Sequence, residues 1–200
     1  VVLASIYEPF VERLVAATKS LNVGNAIEPS TKVGPVIDAA AQQRIRETIA
    51  QGKITATLAI ELPSPDTGYF IGPVIFTDVD PQSALAQEEI FGPVLSVIKA
   101  EDFDRALAIA NNTNFALTGG LYSRTPSHID RAKVEFEVGN LYINRTITGA
   151  IVARQPFGGY KLSGVGSKAG GPDYLLQFLD PRTVTENIQR QGFAPIEGID

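Results

Sequence analysis

"GPVLSVIKAEDFDRALAIANNTNFALTGGLYSRTPSHIDRAKVEFEVGNLYIN", residues 92–144, holds the pattern that decides the fold. The apolar run at 94–98 suits a strand covered on both faces. Asp102 is placed to cap a helix in which Phe103, Ala106, Leu107 and Ala110 fall on one stripe. "FALTGGLYS" (115–123) reads as a strand interrupted by Gly119 and Gly120, and Thr125 with Pro126 opens a second helix, 126–138. "GNLYIN" (139–144) is the next strand. Strands alternating with helices across short loops imply parallel strands joined by right-handed crossovers. The expected fold is a layered α/β domain with a mainly parallel sheet and flanking helices.

Working outward, "VVLAS" is a short strand-like run, 8–20 has helical spacing, and 22–35 is a loop rich in Gly, Pro and Asn. Residues 38–51 read as a helix capped by Asp38 and stopped by Gly52, and 54–60 as a strand. On the other side, 172–179 is a short helix. Residues 182–188 alternate polar and apolar like a half-exposed strand, whose natural mate is a partner subunit's sheet edge. The chain opens inside a strand pattern and without methionine, which predicts a piece of a longer polypeptide. The expected division is a partial domain at 1–180, an oligomerisation strand at 181–191 and a tail at 192–200.

Composition narrows the chemistry. With 17 basic and 22 acidic side chains among 200 residues and no basic stripe, nucleic acid is not an expected partner. No apolar run is long enough to span a membrane and no signal-peptide pattern opens the chain, so a cytoplasmic setting is expected. Cysteine is absent, which excludes disulfides, a thiolate nucleophile and zinc–sulfur sites within the chain; no metal site is expected. The single histidine, His128, falls in the first turn of the 126–138 helix and reads as a solvent-exposed structural residue.

Among the glycine motifs, "GVGSKAG" (164–170) lacks the preceding strand and following helix of a dinucleotide fingerprint and reads as a connector. The tripeptides "NNT" at 111 and "NRT" at 144 match the glycosylation sequon by accident. In "QEEIFGPVLSVI" (87–98), Glu88 and Glu89 precede Phe91 and a strand. Such a carboxylate can accept hydrogen bonds from ribose hydroxyls at the mouth of a parallel sheet. It can equally be a solvated acidic turn with Phe91 in the core. Neighbouring carboxylates point apart, which excludes a glycosidase pair. "NRTITGAIVARQPFGGYKLSG" (144–164) contains no acid, cysteine or histidine. It can offer backbone N–H groups and an aromatic face, but no acid, base or nucleophile. Ser163 and Ser167 lack a positioned base.

"EEIFGPVLSVI", "LTGGLYS", "GNLYIN" and "QPFGGYKLSG" at these intervals resemble the aldehyde dehydrogenase superfamily, over nearly the whole chain. "TGA" ahead of "QPFGG" resembles one branch of it, the 1-pyrroline-5-carboxylate dehydrogenases. The resemblance implies oxidation of L-glutamate γ-semialdehyde to L-glutamate with NAD or NADP in proline catabolism. It implies that Glu89 binds ribose and that Phe91 lies beside the nicotinamide ring. It implies that the N–H groups of Gly149 and Ala150 hold the substrate α-carboxylate while Phe157 packs on its aliphatic chain. The bland alternative for Phe157 is a core aromatic closing the loop. Residues 182–188 resemble the family's oligomerisation flap, so a homo-oligomer is expected. The catalytic cysteine, general base and nucleotide domain of the family are absent here. No residue of this chain is therefore assigned a catalytic role, and the chain alone is expected to be inactive. A free-standing, non-catalytic relative that binds a partner or ligand, or a fragment of another branch, are the alternatives.

Overall fold

The computed structural model describes residues 1–187. The chain divides into two compact units, a larger one of Val1–Gly149 with Gly158–Val165 and a smaller one of Ala150–Phe157 with the residues from 166 onward.

The larger unit is built around one short strand. β1 (Val2–Leu3) leads through a 3₁₀ turn (Ala4–Ile6) into α1 (Tyr7–Thr18). Next come α2 (Ala39–Thr55), β2 (Thr57–Glu61), β3 (Val74–Thr77), α3 (Ala84–Gln87), β4 (Val94–Ser96) and β5 (Lys99–Ala100). β3 pairs antiparallel with β2 and parallel with β4. Successive side chains of a strand point to opposite faces. Val74 and Phe76 therefore enter one cluster with Ile45, Ile49, Ile71, Val79 and Leu85, while Ile75 enters another with Tyr7 and Val97. The strand covered on both faces is thus β3 and not 94–98, where Leu95 is 47% exposed. The sequence reading leaves "VIFT" unassigned, because Pro73 and Asp78 bracket only four residues.

Asp38 caps α2 as expected, accepting from the Ala41 N–H at 2.7 Å. The helix does not stop at Gly52 but runs to Thr55. A Cβ on Gly52 would meet the Phe76 ring at 2.7 Å, so this glycine marks the closest approach of helix and strand. Tyr7 is buried against the same strand layer, and its hydroxyl accepts from the Asp78 N–H at 2.9 Å. Burial pushes the Tyr7 phenol above its ordinary pKa.

The remaining elements are α4 (Phe103–Asn111), β6 (Phe115–Ala116), β7 (Thr118–Leu121), α5 (Pro126–Glu135), β8 (Asn140–Ile143) and β9 (Tyr160–Lys161). Asp102 caps α4 by accepting from the Arg105 N–H at 2.8 Å. β7 and β8 pair in parallel, as do β1 and β5, while β6 pairs antiparallel with β9. Gly119 and Gly120 lie inside paired β7 and do not interrupt it. A Cβ there would meet Phe136 or Ile147 at 2.6 Å, so tight packing is their role. His128 is half-buried, not solvent-exposed: its ring stacks on Phe103 with centroids 4.1 Å apart. Its role is nevertheless structural. Arg131 ties the two helices together, bonding Asp104 and, at 2.8 Å, Glu135, and this pairing holds the Glu135 carboxyl below its usual range.

In the smaller unit, Phe157 and Ala169 exchange backbone hydrogen bonds at 2.9 and 2.8 Å. A 3₁₀ turn (Tyr174–Phe178) stands where the short helix 172–179 is expected, its two end rings edge-on at 5.5 Å. Residues 182–187 form no strand within this chain; Ile188, the rest of 181–191 and the tail 192–200 lie outside the described residues.

Candidate functional site

Two segments carry the residues singled out in the sequence. The first is the turn 88–92 between α3 and β4. Ile90 turns inward and packs on the Ile45 cluster, and its carbonyl accepts from the Arg44 Nη1 at 2.7 Å. Gly92 is pressed so close to α2 that a Cβ would meet Ile45 Cδ1 at 2.6 Å. Between these fixed points Phe91 adopts a φ of +53°, the left-handed region that a bulky side chain avoids. Phe91 is 77% exposed. This overturns the alternative in which Phe91 lies in the core. Glu89, two residues earlier, is exposed and makes no hydrogen bond or ion pair among the described residues. An outward carboxylate and an outward aromatic face therefore sit on one rigid turn at the start of β4, an arrangement suited to a ribose hydroxyl and a flat ring.

The second segment runs from 144 to 157. Asn144 ends β8 at a φ of +53°. Its side chain clamps Ser123 in both directions, accepting from the Ser123 N–H and donating to the Ser123 carbonyl, each at 2.9 Å. Arg145 lays its guanidinium over the Tyr142 ring, 5.2 Å from the centroid. Gly149 follows with a φ of +84°, and a Cβ built there meets nothing within 4 Å. The backbone conformation, and not crowding within the chain, is what requires glycine. Ala150 opens the smaller unit and is exposed. From there the chain is fastened at Ala153, whose N–H donates to the Gly170 carbonyl at 2.9 Å, and at Phe157 through its exchange with Ala169. Phe157 is 37% exposed, so it is not a core aromatic. Within the same unit, burial lowers the Lys168 ammonium below its ordinary pKa.

Glu89 and Phe91 thus share a turn, and Gly149 and Ala150 share a peptide, while Phe157 sits on the segment bridged to Ala169. Two supporting residues escape sequence reasoning. Arg44 reaches a carbonyl 46 residues away, for which no local pattern exists. Asn144 does carry a signal, since asparagine tolerates the left-handed region at a strand end. No described helix is long and apolar enough to cross a membrane.

The parallel strand pairs with their flanking helices, the exposed turn after α3 and the glycine-shaped loop after β8 define a class. Residues 1–184 match the Aldehyde dehydrogenase family, and the chain belongs to it. It is 49% identical over 187 residues to a 1-pyrroline-5-carboxylate dehydrogenase of Geobacillus thermodenitrificans, covering 93% of this chain and 36% of that protein. Among solved structures it resembles proline utilization A from Bdellovibrio bacteriovorus (TM-score 0.91, 53% identity, 98% of this chain and 20% of that one). It also resembles a 1-pyrroline-5-carboxylate dehydrogenase from Thermus with bound NAD (TM-score 0.83, 49% identity, 88% of this chain and 34% of that one). The chain spans about a third of the length of the curated relatives it matches.

Proposed function

We propose that this chain is part of a cytoplasmic NAD(P)-dependent dehydrogenase that oxidises L-glutamate γ-semialdehyde, formed from 1-pyrroline-5-carboxylate, to L-glutamate. Near-50% identity over 182 to 187 residues to enzymes named for that activity carries this function. The chain's share is binding and orientation. The Glu89 carboxylate would accept hydrogen bonds from a ribose, and the Phe91 ring would make a hydrophobic contact beside the nicotinamide. The unpartnered, exposed carboxylate and the outward ring fit such a group. When bound, NAD supplies the hydride acceptor. The N–H groups of Gly149 and Ala150 hold the substrate α-carboxylate through charge-assisted hydrogen bonds, each worth about 1.5–3 kcal/mol. Phe157 covers the aliphatic chain, fixing the distance from carboxylate to aldehyde.

The sequence contains no cysteine, so the thiolate that attacks the aldehyde is contributed by other polypeptide. Residues 182–187 add a strand to a neighbouring copy's sheet and make the assembly a homo-oligomer. The test compares the purified chain with the full-length protein, following NADH absorbance with the semialdehyde as substrate. The chain alone gives the blank rate and the full-length protein turns over. Turnover by the chain alone would overturn the placement of the nucleophile. An inactive full-length protein would point to a non-catalytic, aldehyde-dehydrogenase-like binding domain.

A further inference from the structure

The turn that carries Glu89 and Phe91 is held from outside by two consecutive residues of α2, and only one of them belongs to the core. Ile45 is fully buried, lies against Gly92 and belongs to the cluster on which Ile90 packs. Arg44 is exposed, and its guanidinium donates to the Ile90 carbonyl at 2.7 Å. That carbonyl belongs to the peptide joining Ile90 to Phe91. Pinning it fixes the peptide plane, and with it the φ of +53° that directs the Phe91 ring outward. Left to itself, a phenylalanine relaxes toward negative φ, so an external hold is needed to keep the ring where it is. We propose that Arg44 is a positioning residue for the cofactor-binding turn: its hydrogen bond to the Ile90 carbonyl keeps Phe91 in the left-handed conformation and so presents the aromatic face, and Glu89 beside it, to the nucleotide. This rests on the cofactor reading of Glu89 and Phe91 given above.

A charge-assisted bond to a backbone carbonyl is strong enough for its loss to change affinity about tenfold. Two measurements test the proposal, one of them without cofactor. In the full-length protein without NAD, 4-fluorophenylalanine at position 91 gives a single narrow ¹⁹F resonance. Arg44→Met splits or shifts it, while Arg44→Lys, which retains a donor, restores most of the original signal. In the full-length protein, Arg44→Met raises the KM for NAD about tenfold and leaves the KM for the semialdehyde within twofold, with Arg44→Lys intermediate. A ¹⁹F spectrum unmoved by Arg44→Met overturns the positioning role. If NAD affinity still falls in that case, Arg44 acts on the nucleotide directly. Glu89→Gln tests the underlying assignment separately. Unchanged NAD affinity in that variant removes the cofactor reading, whatever the fluorine spectrum reports about Arg44.

Discussion

The turn 88–92 and the loop 144–157 both place a residue in the left-handed region, and they do so by opposite means. At Phe91 the conformation is imposed: the neighbouring residues are fastened to α2, and a bulky side chain accepts the strain. At Gly149 it is permitted: the residue has no Cβ, and one built there would touch nothing. An imposed conformation depends on distant parts of the fold, whereas a permitted one depends on the identity of a single residue. The first suits a turn that must present a large side chain. The second suits a segment whose backbone N–H groups are the proposed binding groups, since close approach to backbone requires a small residue.

The largest expected effect follows from that contrast. Gly149→Val in the full-length protein places a β-branched residue at a φ of +84°, a strain of about 1–2 kcal/mol. It also displaces the two N–H donors, so kcat/KM for the semialdehyde falls roughly a hundredfold or more. An equal fall for a short aldehyde lacking the carboxylate would break the distinction between a binding loop and a merely structural one. On the imposed side, Gly92→Ala drives a methyl group into Ile45, which is fully buried and cannot retreat. Overpacking of this kind costs about 1–3 kcal/mol, readable as a lower urea midpoint for the chain. An unchanged midpoint would mean that α2 does not clamp the turn.

How far each segment was legible in the sequence follows from the same difference. The loop could be read because its glycines and proline are local signals; Gly149 and Phe157 stand out before any fold is known. The turn could be read only in part. Glu89 and Phe91 are visible as a motif, but whether Phe91 points in or out depends on Arg44, 46 residues from the carbonyl it holds, and on Ile45 beside it. The helices were legible through their caps, Asp38 and Asp102, while Gly52 misled because a close helix–strand contact uses the same residue as a helix stop. β3, the most buried strand, was missed since its four residues are too few to show a period, and its two-sided burial arises from α1 and α2 together. The proposed pairing of 182–187 with a neighbour would depend on a second chain, which no single sequence displays.

A smaller effect separates the anchor's two parts. Phe157→Ala removes a half-exposed ring whose proposed contact with the substrate is worth on the order of 1–2 kcal/mol. The KM for the semialdehyde then rises roughly 5- to 30-fold, while a short aldehyde is oxidised nearly as before. Its backbone exchange with Ala169 does not involve the side chain, so the loop keeps its shape. A comparable loss for both aldehydes would show that the ring supports the loop instead of the substrate.

The smallest expected effect is also the one most specific to the contrast between imposed and permitted backbone. Phe91→Gly removes the strain of a left-handed phenylalanine, about 1–2 kcal/mol, and adds the greater unfolded-state entropy of glycine, about 0.5–1 kcal/mol. Little burial is lost, because Phe91 is already 77% exposed. The net change is a gain in stability of about 0–1.5 kcal/mol, centred on about 0.75, with NAD affinity reduced in the full-length protein. Gly149→Ala reverses the exchange: a Cβ enters the left-handed region without a clash and lowers stability by about 1 kcal/mol. Opposite signs in the two urea midpoints show stored strain at one turn and none at the other. If Phe91→Gly destabilises instead, the exposed ring is packing on something that outweighs its strain, and the turn is held by its own aromatic and not by α2.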